Sequence, residues 1–286
     1  MTNDEITLHR GLAGVYFDRS ATTFIDGKEG VLEYRGYNIN ELAEHSTFEE
    51  TAYLLIHGVL PTQAQLDDYD AELKGARELP EQIFDVIEIV KDAHPMDALR
   101  TSVSALSGFD PDRNDNSTEA TIRKGLRLTS QVPSIVMAHH NIRRGKDPIK
   151  PSTTLNHAGN FLYMMDGNEP SGRAMNLMDK DFVLHADHGS NASAFTARVV
   201  AGTAADIHGA VTAGIAALSG PSHGGAAENV MQMAREIGKP ENAADYVQNL
   251  LSNRQRVMGF GHRVYKAEDP RAGHLRQGVK DLSEEM

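Results

Sequence analysis

Beyond residue 38 the chain is punctuated repeatedly by residues that start and stop helices, and this constrains its fold more than any single motif. Ser46-Thr47-Phe48-Glu49 reads as a capping box ahead of the apolar face Ala52, Leu55 and Ile56, and Gly58 with Pro61 ends that helix. Thr62-Gln63-Ala64-Gln65 repeats the device for the next one. The pattern predicts further helices near 81–92, 95–107, 117–143 with a kink at Pro133, 153–165, 177–187, 191–203 and 205–218. Upstream, residues 13–37 alternate apolar and polar positions around Asp26-Gly27, which predicts a hairpin with a two-residue turn in which glycine supplies the positive φ. No other segment reads clearly as β, so the expected fold class is mainly α with a short N-terminal β-hairpin.

Small residues dominate between Ala192 and Gly220, as in Ala201-Gly202-Thr203-Ala204-Ala205 and Ala213-Gly214-Ile215-Ala216-Ala217. Helices with such faces approach closely, either as an interior hairpin or as a helix-on-helix subunit interface; the residues alone favour the interior.

Composition removes several function classes. Zero cysteines exclude disulfides, a thiolate nucleophile and any cysteine-ligated metal. No apolar run reaches the ~18 residues a membrane span requires. The start, Met-Thr-Asn-Asp-Glu-Ile, is acidic where a secretory signal is basic and then apolar, so a cytoplasmic location is expected. A formal charge of −12 argues against nucleic acid or an anionic membrane as the main partner. The charge is uneven, however: residues 251–280 hold seven basic and two acidic side chains, a net +5 within a chain of −12. This basic stretch suits a polyanionic small molecule, or else it is a solvated face balanced by acidic neighbours.

The basic stretch contains Gly259-Phe260-Gly261-His262-Arg263-Val264-Tyr265-Lys266-Ala267-Glu268-Asp269-Pro270-Arg271, with an imidazole and a guanidinium nine residues apart behind two glycines. Upstream lie Pro221-Ser222-His223-Gly224-Gly225-Ala226 and His185-Ala186-Asp187-His188-Gly189. Read alone, the His-x-Asp-His run also fits a metal-dependent hydrolase, although its surroundings are helical and no nearby His-x-His completes a ligand set. His139-His140 are adjacent and so face different sides of a helix, which disfavours a shared metal site.

In order and spacing these three blocks resemble the citrate synthase family. Phe24-Ile25-Asp26-Gly27, Leu32-Glu33-Tyr34-Arg35-Gly36-Tyr37 and His94-Pro95-Met96-Asp97-Ala98-Leu99-Arg100 extend the resemblance over essentially the whole chain. It implies a two-domain helical fold, with residues 1–220 as the N-terminal part of a large domain and 221–286 as the start of a small one. It also implies a homodimer with the small-residue helices at the interface, reversing the interior reading. The implied reaction condenses acetyl-CoA with oxaloacetate and water to citrate and CoA at the entry to the tricarboxylic acid cycle, with acetyl-CoA as co-substrate and neither a permanently bound cofactor nor a metal.

By the same resemblance His223 hydrogen-bonds the enol of acetyl-CoA, His262 donates to the oxaloacetate carbonyl, and His188 and Arg271 bind oxaloacetate. His185 and Asp187 support the site, Asp269-Pro270 forms a turn returning Arg271 toward His262, and the backbone of Val257, Met258, Gly259, Phe260 and Gly261 lies along CoA. The family's base is an aspartate that falls beyond Met286, as does the rest of the small domain, so the chain is expected to be an N-terminal portion lacking that group. A 2-methylcitrate synthase using propionyl-CoA would share these motifs. An inactive dimerising fragment is the alternative from another class.

Overall fold

The computed structural model describes residue 15 and residues 18–262 and 264–284. Three short strands, β1 (Thr23–Asp26), β2 (Val31–Tyr34) and β3 (Tyr37–Asn38), form one antiparallel sheet in the order β1-β2-β3. The hairpin is present, but the turn at Asp26-Gly27 is longer than predicted. Asp26 pairs with Val31, so residues 27–30 form a four-residue loop; the positive φ falls on Gly30, at 68°, and the Asp26 carboxylate accepts the N–H groups of Lys28 and Glu29. The two-residue turn lies instead at Arg35-Gly36, where Tyr34 pairs with Tyr37 and both turn residues have positive φ, 52° and 88°. That is the geometry a tight hairpin turn requires. Residues 13, 14, 16 and 17 of the predicted alternation lie outside the described residues.

Thirteen α-helices follow among the described residues. They are α1 (Ile39–His45), α2 (Phe48–His57), α3 (Gln63–Gly75), α4 (Glu81–Ile89), α5 (Pro95–Leu106), α6 (Thr118–Ile142) and α7 (His157–Asp166). Then come α8 (Gly172–His185), α9 (Ala192–Ala201), α10 (Ile207–Leu218), α11 (Gly225–Ile237), α12 (Ala243–Ser252) and α13 (Pro270–Ser283). The first capping box sits one residue later than predicted: Thr47 accepts the Glu50 N–H, and Glu50 reaches back to the Thr47 N–H. The Thr62/Gln65 box and the left-handed Gly58 stop are where the sequence places them. Pro133 does not end α6, which runs 25 residues.

The main core joins Ile83 and Ile87 of α4, Val103 and Leu106 of α5, Leu128, Ile135 and Ile142 of α6, and Ile215 of α10. Each such side chain contributes roughly 1.5–3 kcal/mol through burial. A second cluster joins Leu32 and Tyr34 of β2 to Ile39 and Leu42 of α1, Leu54 of α2, and Val183 and Leu184 of α8. It fixes the sheet against the end of α8.

The small residues do bring α9 and α10 together. A methyl on Gly214 would stand 3.4 Å from the Ser193 carbonyl oxygen and 3.7 Å from the Ala197 Cβ. The interior reading holds only for α10, which buries His208, Ala210, Gly214 and Ile215, whereas α9 has no buried residue and forms an outer layer. Nor do α11, α12 and α13 have fully buried residues.

Charged groups also lie inside. Arg127 makes a two-pronged pair with Asp110, at 2.9 and 2.7 Å, and reaches Asp112 at 2.7 Å. Glu49, only 5% exposed, accepts the His157 N–H at 2.8 Å, and Asp179 of α8 accepts the Phe48 N–H at 3.3 Å.

Candidate active site

The segment after α8 presents His188. Its Nε2 lies 3.1 Å from the hydroxyl oxygen of Tyr265. Burial pushes the Tyr265 hydroxyl up to about 12, so it stays protonated near pH 7 and shares one hydrogen bond with His188 Nε2. Burial first, and then the Arg271 charge, push His188 down to about 4, which keeps the ring neutral near pH 7.

His262 stands beside this pair, its ring centroid 5.7 Å from that of His188 and 4.9 Å from that of Tyr265. Its Nδ1 accepts the backbone N–H groups of Val264 and Tyr265, at 3.1 and 3.0 Å. The ring proton is therefore on Nε2, where it can be donated to a ligand. The loop thus folds around one imidazole nitrogen and leaves the other as a directed donor.

Arg271 is the second residue of α13. Asp269-Pro270 is the start of that helix rather than a turn of its own: Asp269 is the N-cap and Pro270 the first helical residue. The Asp269 carboxylate accepts from Arg271 Nε at 2.9 Å and from an Arg271 terminal nitrogen at 2.7 Å. Burial alone would raise the Asp269 carboxyl, but its hydrogen bonds to Arg271 and that charge outweigh burial and hold it below the usual range.

His262, Tyr265, Asp269 and Arg271 line one cleft of about 610 Å³, with Gly259, Phe260 and Gly261. Phe260 is 78% exposed, and Gly259 and Gly261 have φ of 82° and 90°. Val257 and Met258 precede this rim, half-buried and outside the lining.

His223 does not line this cleft. It lies in the turn between α10 and α11, and the backbone N–H of Ser193, in the first turn of α9, donates to its Nε2 at 3.3 Å. The ring proton then sits on Nδ1. Ser193 Oγ is 3.0 Å from the same nitrogen, while Asn191 Oδ1, 2.7 Å from that hydroxyl, competes for its single proton.

The His-x-Asp-His run divides among separate partners. His185 Nδ1 lies 2.9 Å from the Asp181 carbonyl and 3.2 Å from its carboxylate, Thr23 donates to the Asp187 carboxylate, and His188 meets Tyr265. Such divergence is not the convergence a metal needs. His139 and His140 also part: His139 Nε2 lies 3.1 Å from the Lys91 carbonyl, and His140 meets Arg144. Of the basic stretch, Arg271 and Arg276 have acidic partners, Asp269 and Glu268. Tyr265 and Ser193 are site residues that sequence reasoning misses. The position of Tyr265, three residues after His262, is the available signal for the first; nothing local marks the second.

No helix among the described residues is long and apolar enough to cross a membrane. Residues 11–286 match the family described as citrate synthase, C-terminal domain. A citrate synthase from Synechocystis is 45% identical over 287 residues, covering 100% of this chain and 71% of that protein. The crystal structure of citrate synthase from Pyrobaculum aerophilum superposes with a TM-score of 0.91 at 40% identity, covering 96% of this chain and 71% of that one. A citrate synthase from Thermoplasma acidophilum, in ternary complex with carboxymethyl coenzyme A and oxaloacetate, gives a TM-score of 0.91 at 26% identity over 98% of this chain and 74% of that one. Motifs, fold and relatives agree: the chain belongs to the citrate synthase family and is an acyltransferase of the citrate synthase type.

Proposed function

We propose that this site condenses acetyl-CoA with oxaloacetate and water to give citrate and CoA. One observation carries the reading: His262 and Arg271 line one cleft, and the ring of His188 packs against that of His262. Arg271 would grip an oxaloacetate carboxylate through its two-pronged geometry. His262 Nε2–H would polarise the ketone, and neutral His188 would hydrogen-bond the same substrate. His223, with its proton on Nδ1, would hold the enol oxygen of acetyl-CoA, and the backbone of residues 257–261 would run along CoA.

Of the carboxylates lining the cleft, Asp269 pairs with Arg271 and Glu268 with Arg276. By the family resemblance, the base that deprotonates acetyl-CoA is an aspartate outside residues 1–286. On this reading residues 1–220 belong to a large domain and 221–286 begin a small one. The enzyme would be a cytoplasmic homodimer with the exposed outer face of α9 at its interface.

Thiol release with acetyl-CoA and oxaloacetate tests the reading, on this chain and on one extended through its reading frame. Turnover is expected from the extended chain alone, with His262→Ala lowering it about 10²–10³-fold. Propionyl-CoA run in parallel separates the 2-methylcitrate reaction. An extended chain that neither binds oxaloacetate nor releases CoA overturns the proposal.

A further inference from the structure

His188 and the His262–Arg271 loop lie far apart in sequence, and their direct links are the Tyr265 hydrogen bond and ring contacts. The N-terminal hairpin touches both. Toward His188, Thr23 donates to the Asp187 carboxylate, and the Tyr34 hydroxyl donates to the Leu184 carbonyl at 3.1 Å and accepts the Asp187 N–H at 3.3 Å. Toward His262, the Gly27 carbonyl accepts the Lys266 N–H at 2.6 Å. A methyl on Gly27 would run into the Val264 carbonyl oxygen and come 2.8 Å from its carbon, and one on Gly30 would come 2.9 Å from the Glu268 oxygen.

We propose that this hairpin is a brace that sets His188 and His262 at their working separation, with Gly27 as the positioning residue. The inference rests on the reading of the cleft as the oxaloacetate site. A rigid spacer suits that role, and Leu32 and Tyr34 anchor β2 in the core, so β2 resists displacement when the loop at 264–268 is pushed. Gly27 is not among the positive-φ glycines, so alanine there meets no left-handed backbone strain, and its nearest contacts are with Val264. Gly36 supplies the opposite case in the same sheet. Its φ is 88° and a methyl there meets nothing within 4 Å, so alanine strains the sheet without touching the site.

The test uses the 286-residue chain and its Gly27→Ala, Gly36→Ala and Thr23→Val variants. Oxaloacetate affinity is read by calorimetry, histidine ring signals by NMR, and amide exchange over residues 264–268 by mass spectrometry. Gly27→Ala is expected to weaken oxaloacetate about tenfold or more, shift the His188 and His262 ring signals and speed exchange at 264–268. Gly36→Ala is expected to melt at lower temperature with affinity and ring signals retained. Unchanged affinity and ring signals in Gly27→Ala, or the same losses in Gly36→Ala, overturn the brace. If Gly27→Ala does not fold, Thr23→Val carries the test through the His188 ring signal, and an unmoved signal overturns it. If neither the unaltered chain nor one extended through its reading frame binds oxaloacetate, the functional reading fails, while ring signals and exchange still decide for or against the brace.

Discussion

Replacing Asp179 with asparagine should stabilise the protein at neutral pH and have no effect on stability in acid. Asp179 lies on α8, half-buried, and accepts the Phe48 N–H that opens α2. Burial first, and then the charge of the neighbouring Glu49, push its carboxyl up from 3.8 to about 6. A raised carboxyl binds its proton more tightly in the folded state than in the unfolded one, so stability falls as pH rises between those values and stays lowered above them. Two pH units correspond to about 2.7 kcal/mol, and the water still reaching this side chain reduces that to about 1–2 kcal/mol. Asparagine keeps the carbonyl acceptor for Phe48 and the volume, and removes only the charge. Urea unfolding of both chains across about pH 4 to pH 8 measures the difference. The gain should appear through about pH 6, reach its full size by about pH 8 and be absent near pH 4. A gain of equal size at every pH, or a loss at about pH 8, refutes the reasoning.

Tyr265→Phe removes the hydroxyl paired with His188 Nε2 and should weaken oxaloacetate about five- to tenfold by calorimetry, with the melting temperature nearly unchanged. Ser193→Ala removes one of the two contacts on His223 Nε2 and should lower turnover of an extended, active chain about fivefold while leaving oxaloacetate affinity unchanged, as steady-state kinetics would show. Arg127→Leu strands the buried Asp110 and should cost about 3–5 kcal/mol in urea unfolding.

How much the sequence reveals depends on how far the relevant contact reaches. Gly58 and the Thr62/Gln65 box are legible because a cap is settled within four residues. The first box is misread by one residue because Ser46 has a hydroxyl as suitable as that of Thr47, and only the direction of the entering chain separates them. Sequence reasoning puts the two-residue turn at Asp26-Gly27 because glycine supplies a positive φ, yet in the observed turn Arg35 adopts one too, and its side chain donates to the Leu55 carbonyl at 2.8 Å. The first turns of α8 are hidden because Gly172 reads as loop, although Ser171 caps the helix there. His188, His262 and Arg271 are picked out by the motifs that hold them. Their proton positions are not legible, because the partners of His188 and His223 come from Tyr265 and Ser193, distant in sequence.

The pairing of Asp269 with Arg271 has a consequence for selectivity. The protein carries its own competitor for that guanidinium, a carboxylate two residues away with matching geometry. Asp269 takes only the Nε edge, so an anion at the Nη1 edge would share the guanidinium with it, while one seeking the Nε edge would have to strip Asp269 of its partner. On the proposed reading of the cleft, a small monoanion with one foothold would gain too little to displace that carboxylate. A ligand that also engages His188 and His262 would recover the cost at those sites. Asp269 would thus act as a threshold, favouring an anion that engages several groups at once over one that meets Arg271 alone.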